Sequence, residues 1–293
     1  MIKYFRISNY IKYAVSLINS WCLHYLDIYF APPAHQKFKY SPIFIIGAPR
    51  SGSTLLFQLL TDGYNFAYFS NIHCRLFGSP SLIEKFLKPM DRLTPSNYTS
   101  EFGKTNGRYE PSECGEWWYR FFQRKRPNES ITEPNDKKMK QFRRSLLYFT
   151  NTTARPVICK NLYATLRLEE ISEYIPEALF VVVTRNEEDN CRSILNARLN
   201  FLGSHERWWS IETPDSNYLK TLPPKDQAIS QIRGINKIIM DSVRDGIIAK
   251  EKIIEINYDS FRKNTRGLIG KFDRFLKSNG VPIDKRFDLP NSL

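Results

Sequence analysis

The chain has 293 residues, 42% hydrophobic and 25% charged, a composition that excludes a disordered or collagen-like polymer and suits one folded unit with an appendage. Lys and Arg number 43 against 30 Asp and Glu, leaving a net charge of +13 that suits nucleic acid, a membrane surface or a polyanionic ligand without choosing among them. The cysteines, Cys22, Cys74, Cys114, Cys159 and Cys191, are scattered and odd in number. That excludes a legible disulfide framework or zinc ligand set and points to a reducing, cytoplasmic setting.

From the N-terminus, Ile2 to Phe30 is apolar and aromatic, but Lys12, Asn19, Ser20, His24 and Asp27 interrupt it, so no membrane-spanning helix is predicted. It also lacks the basic start, clean apolar core and small-residue site of a cleaved signal peptide. The stretch reads first as an amphipathic helix packed on the domain, and second as a helix lying on a membrane surface in a peripheral contact. Pro32, Pro33 and Pro42 mark Ala31 to Pro42 as a linker. The chain therefore divides into a helical appendage and linker over 1–40 and a main domain over 41–293.

Ile43 to Gly47 is a β-branched apolar run bounded by Pro42 and Gly47, the pattern of a strand buried on both faces of a parallel sheet. A helix begins at Thr54. Further strands are predicted at Val157 to Cys159, Leu179 to Thr184 and Lys252 to Asn257. Helices are predicted at Leu166 to Tyr174, Glu187 to Leu199, Ala228 to Ile248 and Thr265 to Ser278, and a solvated loop at Lys125 to Lys138. Strands alternating with helices give an α/β fold, a three-layer sandwich around a central parallel sheet. Ligands of such folds collect at the carboxyl ends of the strands. That rule directs attention to Gly47 onward, Lys160, Arg185 and Tyr258.

The eight residues Gly47 to Thr54, GAPRSGST, match the phosphate-binding pattern G-x-x-x-x-G-K-[ST] everywhere but the seventh position, where Ser53 replaces Lys. A strand, a glycine turn and a helix start aim backbone N–H groups at one point, with Ser51, Ser53 and Thr54 as hydroxyl donors. Arg50 is the loop's one cation, which suits a short anionic group and no metal. After the strand ending at Thr184, Arg185 is followed eight residues later by Ser193, and both could reach one phosphate.

With these residues in view, the chain resembles sulfotransferases that use 3'-phosphoadenosine 5'-phosphosulfate (PAPS), in a P-loop-like fold and a bacterial-type branch. In that family a P-R-S-G-S/T-T loop holds the 5'-phosphosulfate, matched by Pro49 to Thr54 with Arg50, Ser51, Gly52, Ser53 and Thr54, and an R-x7-S element holds the 3'-phosphate, matched by Arg185 and Ser193. The resemblance runs from about Pro42 to Leu276 and takes in EPSECGEWW (Glu110 to Trp118), CKNLYATLRL (Cys159 to Leu168), WWS (Trp208 to Ser210) and INYDSF (Ile256 to Phe261). It implies that 41–293 is a sulfotransferase domain moving the sulfuryl group of PAPS to a hydroxyl of a carbohydrate, lipid or small-molecule acceptor, with no nucleic-acid partner. In the related tyrosylprotein enzymes a glutamate about twenty residues after the loop is the base; Asn71 falls there in this chain, so that role does not transfer.

Chemistry supplies other candidates. Glu113, beside Trp117 and Trp118, is the first candidate for the base, and His73 the second. Lys160, at a strand end, suits the bridging oxygen, and Tyr258 a contact to the nucleotide. Two other readings stand beside this one: Glu110, Glu113 and Glu116 as an exposed acidic helix turn, and Trp208 and Trp209 as either acceptor-pocket lining or core. Rival functions are a P-loop nucleotide kinase or hydrolase, which needs the missing lysine, and a basic, non-catalytic polyanion-binding protein.

Overall fold

The computed structural model describes residues 14–87, 92–122 and 135–293. A π-helical turn at Ile18–Leu23 runs into α1 (His24–Phe30). Then follow β1 (Ile43–Gly47), α2 (Ser53–Gly63), α3 (Asn71–Arg75), α4 (Pro80–Phe86), α5 (Gly115–Trp118) and α6 (Asp136–Thr153). β2 (Ile158–Lys160) leads through a 3-10 turn (Leu162–Arg167) to α7 (Leu168–Tyr174), β3 (Leu179–Thr184), α8 (Glu187–Leu202), α9 (Ser216–Leu219) and α10 (Pro224–Arg244). β4 (Ile253–Asn257), α11 (Tyr258–Lys263) and α12 (Thr265–Ser278) complete the order.

All four strands are parallel, in the order β2-β1-β3-β4. Their alternation sorts the core. Phe44 and Ile46 of β1 share one face with Phe180 and Val182 of β3, and helices α6, α7, α8 and α10 cover it through residues such as Phe142, Ile171, Ile194 and Ile235. Ile43 and Ile45 face the other way with Val181 and Val183, against Phe57 and Leu60 of α2 and Phe272 and Leu276 of α12. The three-layer α/β sandwich is thus the observed fold. β4 is an edge strand, and it alternates buried Ile254 and Ile256 with exposed Glu255.

The expected strands lie within a residue of their predicted positions. β2 starts one residue late because Val157 pairs with Ala67 outside the sheet, and this leaves Lys160 as the strand's last residue. α10 starts at Pro224, a proline that sits in the first turn where its missing N–H costs nothing, and stops four residues early. Of the predicted loop Lys125 to Lys138, residues 125–134 lie outside the described residues, and from Asp136 the chain is helical. Asn135 caps that helix by accepting the Lys138 N–H at 3.2 Å. The first part of the predicted N-terminal helix, 2–13, likewise lies outside the described residues.

Candidate active site

The loop after β1 is held by contacts that a larger residue would break. Gly47 has φ +141, donates its N–H to Thr165 Oγ1 at 3.2 Å, and sits where a Cβ would meet the Val183 carbonyl at 2.7 Å. Gly52 has φ +95, and a Cβ there would fall on the Tyr258 ring. With its amide oriented to donate, Asn190 of α8 holds the Pro49 and Arg50 carbonyls at 2.8 and 3.1 Å. Gly52 precedes α2 without a side-chain cap, so the first N–H groups of the helix are left to face the turn. The Ser51 hydroxyl is buried with no partner.

The two anion elements read from sequence meet here. Arg50 Nε donates to Ser193 Oγ at 3.1 Å, and Arg185 Nη1 donates to the Arg50 carbonyl at 3.2 Å. The Arg185 guanidinium lies 4.6 Å from the centre of the Tyr258 ring, its Nε buried and unpartnered. Among the described residues neither arginine has a carboxylate partner. Burial first, and the charge of Arg185 second, hold the Arg50 guanidinium below its ordinary pKa. Two like charges held together without a counter-ion are costly unless an anion completes the set.

One strand away, Lys160 is buried at the end of β2. Its ammonium pairs with the Glu113 carboxylate and donates to Thr54 Oγ1 at 3.1 Å. Gly103, at φ +90, lies over this trio, its Cβ position 3.5 Å from Glu113 Oε1 and 3.6 Å from Thr54 Oγ1. Trp118 supports Glu113 from behind by donating its indole N–H to the Glu113 carbonyl at 3.1 Å, while both tryptophans point into the core. The carboxylate's neighbour is therefore an ammonium and not the indoles expected from sequence.

These groups line a cavity of about 690 Å³ that includes Arg50, Thr54, Lys160, Arg185, Trp209 and Tyr258. A second cavity of about 690 Å³ adjoins it, and the two share Phe102, Gly103 and Glu113. Arg75, Lys104 and Arg108 bring three cations to the second cavity, and among the described residues its one acidic lining residue is Glu113. The Tyr163 phenol, pushed up to about 12 by burial and then by Tyr119 and Glu113, stays neutral beside the first.

The segment covering both cavities carries no motif. Its backbone is tied to the far side of α2: Ser96 N–H donates to Asp62 Oδ2 at 2.8 Å, and Gln58 donates to the Thr99 carbonyl at 3.2 Å. Arg92 binds Asp62 and Glu110 in the same buried network. Among the described residues six non-glycine residues have positive φ, and five of them (Arg50, Tyr98, Phe102, Cys114 and Ser210) line one of the two cavities. Such conformations persist only where surroundings over-determine them, and they gather at functional sites.

The structure brings Glu113, Lys160, Arg50, Gly52, Ser53, Thr54, Arg185 and Tyr258 to one cavity, with Ser193 bonded to Arg50 and Ser51 buried within the loop. It does not bring His73 there. His73 is buried between Phe69 and Phe149, its Nδ1 accepts the Ser70 N–H at 3.0 Å, and its Nε2 lies 3.3 Å from Glu84. It closes a capping box that starts α3, a short-range duty that turns it away from the loop. Asn71 donates to the Thr105 and Gly107 carbonyls at 3.0 and 2.8 Å, so it pins the cover segment. Glu110, Glu113 and Glu116 do not form one exposed turn, since Glu110 is bound to Arg92 and Glu113 to Lys160. Trp208 stacks on Arg198 and only Trp209 lines the cavity. Among the described residues no cluster of three or more His, Cys, Asp or Glu side chains is arranged to hold a metal ion.

No curated protein matches the sequence. Among solved structures, a sulfotransferase of Mycobacterium avium superposes with a TM-score of 0.52 at 14% identity, covering 88% of this chain and 66% of that one. A sulfotransferase of Mycobacterium tuberculosis gives 0.51 at 16% identity, covering 83% and 68%. Both likenesses concern the fold, and this chain spans just under two thirds of the M. avium protein. The sequence profile described as the sulfotransferase family matches residues 42–278, from the start of the sheet through the last helix, and to that family this chain belongs.

Proposed function

We propose that the protein moves the sulfuryl group of PAPS to a hydroxyl group of an acceptor seated in the second cavity. The observation that carries this reading is the convergence of Arg50 and Arg185, without a carboxylate partner among the described residues, on a glycine loop at a helix start. The orphaned Ser51 hydroxyl and Arg185 Nε fit an anionic ligand with more than one acidic group. In this reading Ser53, Thr54 and the N–H groups of the Gly52 turn hold the phosphosulfate end, Arg185 and Ser193 hold the 3'-phosphate, and Tyr258 flanks the nucleotide.

When bound, PAPS supplies an activated sulfuryl group on a phosphate leaving group. The chain's part is positioning, proton transfer and charge. Glu113 stands where the two cavities meet and takes the acceptor hydroxyl's proton. Lys160 holds that carboxylate in an ion pair beforehand. Once Glu113 is protonated its hold on the ammonium weakens, and Lys160, still bonded to Thr54, would have its charge free to stabilise the leaving phosphate. Proton uptake and leaving-group stabilisation are thereby coupled through one ion pair. The cations Arg75, Lys104 and Arg108 favour an acceptor that carries an acidic group apart from its hydroxyl.

The reading is tested by calorimetry with adenosine 3',5'-bisphosphate, followed by transfer from PAPS to hydroxy acids and their matched amides. Tight bisphosphate binding and sulfate esters formed preferentially on the acids are expected. Indifference to the bisphosphate, with magnesium-dependent hydrolysis of ATP, would instead support a nucleotide hydrolase.

A further inference from the structure

The helical segment Ile18–Phe30 is inside out. A helix on a protein surface normally buries its apolar stripe and exposes its polar one. Here the fully buried residues of the segment are Asn19 and Asp27. Asn19 donates to the Arg75 carbonyl at 3.0 Å and accepts the Gly78 N–H at 2.8 Å. Asp27 accepts from Ser79 Oγ at 2.9 Å, from Ser145 Oγ at 2.6 Å and from Arg120 at 2.9 Å. Arg144 of α6 clamps the helix end through the Ile28 and Ala31 carbonyls at 2.9 and 2.8 Å. The helix is thus seated firmly, by its polar side.

The outward side is aromatic. Trp21 is 65% exposed, Tyr25 59%, Tyr29 80% and Phe30 53%, with Leu17, Ile18 and Leu26 also exposed. Leu17, Trp21, Tyr25 and Tyr29 follow at four-residue steps, so they share one face. The single acidic residue of the first 30 is the buried Asp27. A contiguous apolar face of this kind marks an interaction surface.

We infer that this face docks the protein on a membrane, with the helix lying in the plane of the lipid headgroups. Its composition favours lipid over protein, because Trp and Tyr rings, apolar in body and polar at the tip, settle at the boundary between acyl chains and water. Lys3, Arg6 and Lys12 precede it in the sequence with no acidic residue among them, which complements an anionic surface. The segment's seating suits lying flat, since Asn19, Asp27 and the Ile28 and Ala31 carbonyls tie its polar side to the domain along its length. The Asn19 bond to Arg75 joins the docking helix to α3, whose residues line the second cavity, so docking sets that cavity near the lipid surface. The docking stands independently of the sulfuryl-transfer reading.

The test is flotation of the full chain with vesicles of phosphatidylcholine and phosphatidylglycerol, comparing it with the Trp21→Ser/Tyr25→Ser/Tyr29→Ser variant. These side chains are exposed, so the variant should keep its melting temperature, while its partition onto vesicles falls at least about tenfold. Brominated lipid should quench the fluorescence of the unaltered protein, and Trp21→Phe should float normally yet lose most of that quenching. Failure to float, equal flotation of the triple variant, or binding without quenching would overturn the assignment. So would a dimer that the triple variant turns into monomers, which would give the face to a second copy of the chain.

Discussion

Arg185→Gln distinguishes a ligand-gripping guanidinium from a structural one. In the free protein the substitution removes a positive charge close to Arg50, whose own pKa is already lowered by burial and by Arg185. It also removes a cation–π contact with Tyr258, worth roughly 0.5–1 kcal/mol at a partly exposed site. The shorter glutamine also gives up the Nη1 bond to the Arg50 carbonyl, a loss that relief of the charge repulsion with Arg50 largely offsets. Stability should change by no more than about 1 kcal/mol, a melting shift of roughly 2–4 °C. The bound state is different, because a hydrogen bond to a charged group contributes about 1.5–3 kcal/mol. Affinity for adenosine 3',5'-bisphosphate should therefore fall roughly 10- to 140-fold. Calorimetry at fixed ionic strength measures the second quantity and thermal unfolding the first. Unchanged affinity accompanied by a stability loss of more than about 2 kcal/mol would refute the argument and make Arg185 a packing residue.

Glu113→Gln should bind adenosine 3',5'-bisphosphate as the unaltered protein does while kcat for sulfuryl transfer falls about 10²- to 10⁴-fold, and retained turnover would remove Glu113 as the base. The Cys74 thiol is pulled down to about 6 by the Cys114 thiol and the Ser112 hydroxyl, against burial. Its alkylation by iodoacetamide should thus rise through about pH 6, well below the range of an ordinary thiol at about 8.5, as peptide mapping across pH would reveal. Because this pKa is depressed on folding, Cys74 adds stability that is complete above the unfolded value and disappears as pH falls through about 6. Arg92→Met leaves the buried Asp62 and the Glu110 carboxylate without their cation and should cost about 3–5 kcal/mol in urea unfolding. Burial already pushes the Asp62 carboxyl up, so the deficit should narrow in acid, where protonated Asp62 needs no counter-ion.

The parts of the fold that were legible are those whose local pattern and tertiary role agree. β1 and β3 are buried on both faces and so read as uninterrupted apolar runs, and the glycine loop between β1 and α2 follows from φ values that only glycine adopts easily. The nearness of Arg185 and Ser193 to the loop was legible from spacing, because one helical start after a strand places both beside Arg50. α6 was not read from the sequence, although Asn135 caps it and Met139, Phe142, Leu146 and Phe149 share its buried face. The cover over the cavities was not legible. Its shape is imposed by Gln58, Asp62 and Asn71, between 34 and 41 residues away, and Tyr98 and Phe102 hold positive φ against their own preference. His73 misleads for the converse reason: nearness in sequence to the loop is not nearness in space once a capping box turns the ring inward.

The missing loop lysine has a structural counterpart. Position seven of the loop is Ser53, the first residue of α2, so the loop itself carries no lysine. The neighbouring strand supplies one instead. Lys160 at the end of β2 reaches Thr54 Oγ1 at 3.1 Å, on the same side of the loop as the helix start. The difference matters chemically. A lysine inside the loop is committed to the nucleotide phosphates, as in nucleotide hydrolases. Lys160 is shared with Glu113, at the boundary with the second cavity, and so answers to the protonation state of a carboxylate. In the proposed reaction that sharing ties the charge on the leaving group to the arrival of the acceptor's proton. Lys160→Met should therefore lower kcat by a factor comparable to Glu113→Gln, and the two changes combined should cost little more than either alone. Fully additive losses in that double-mutant cycle would mean that the two residues act separately and that the ion pair is only structural.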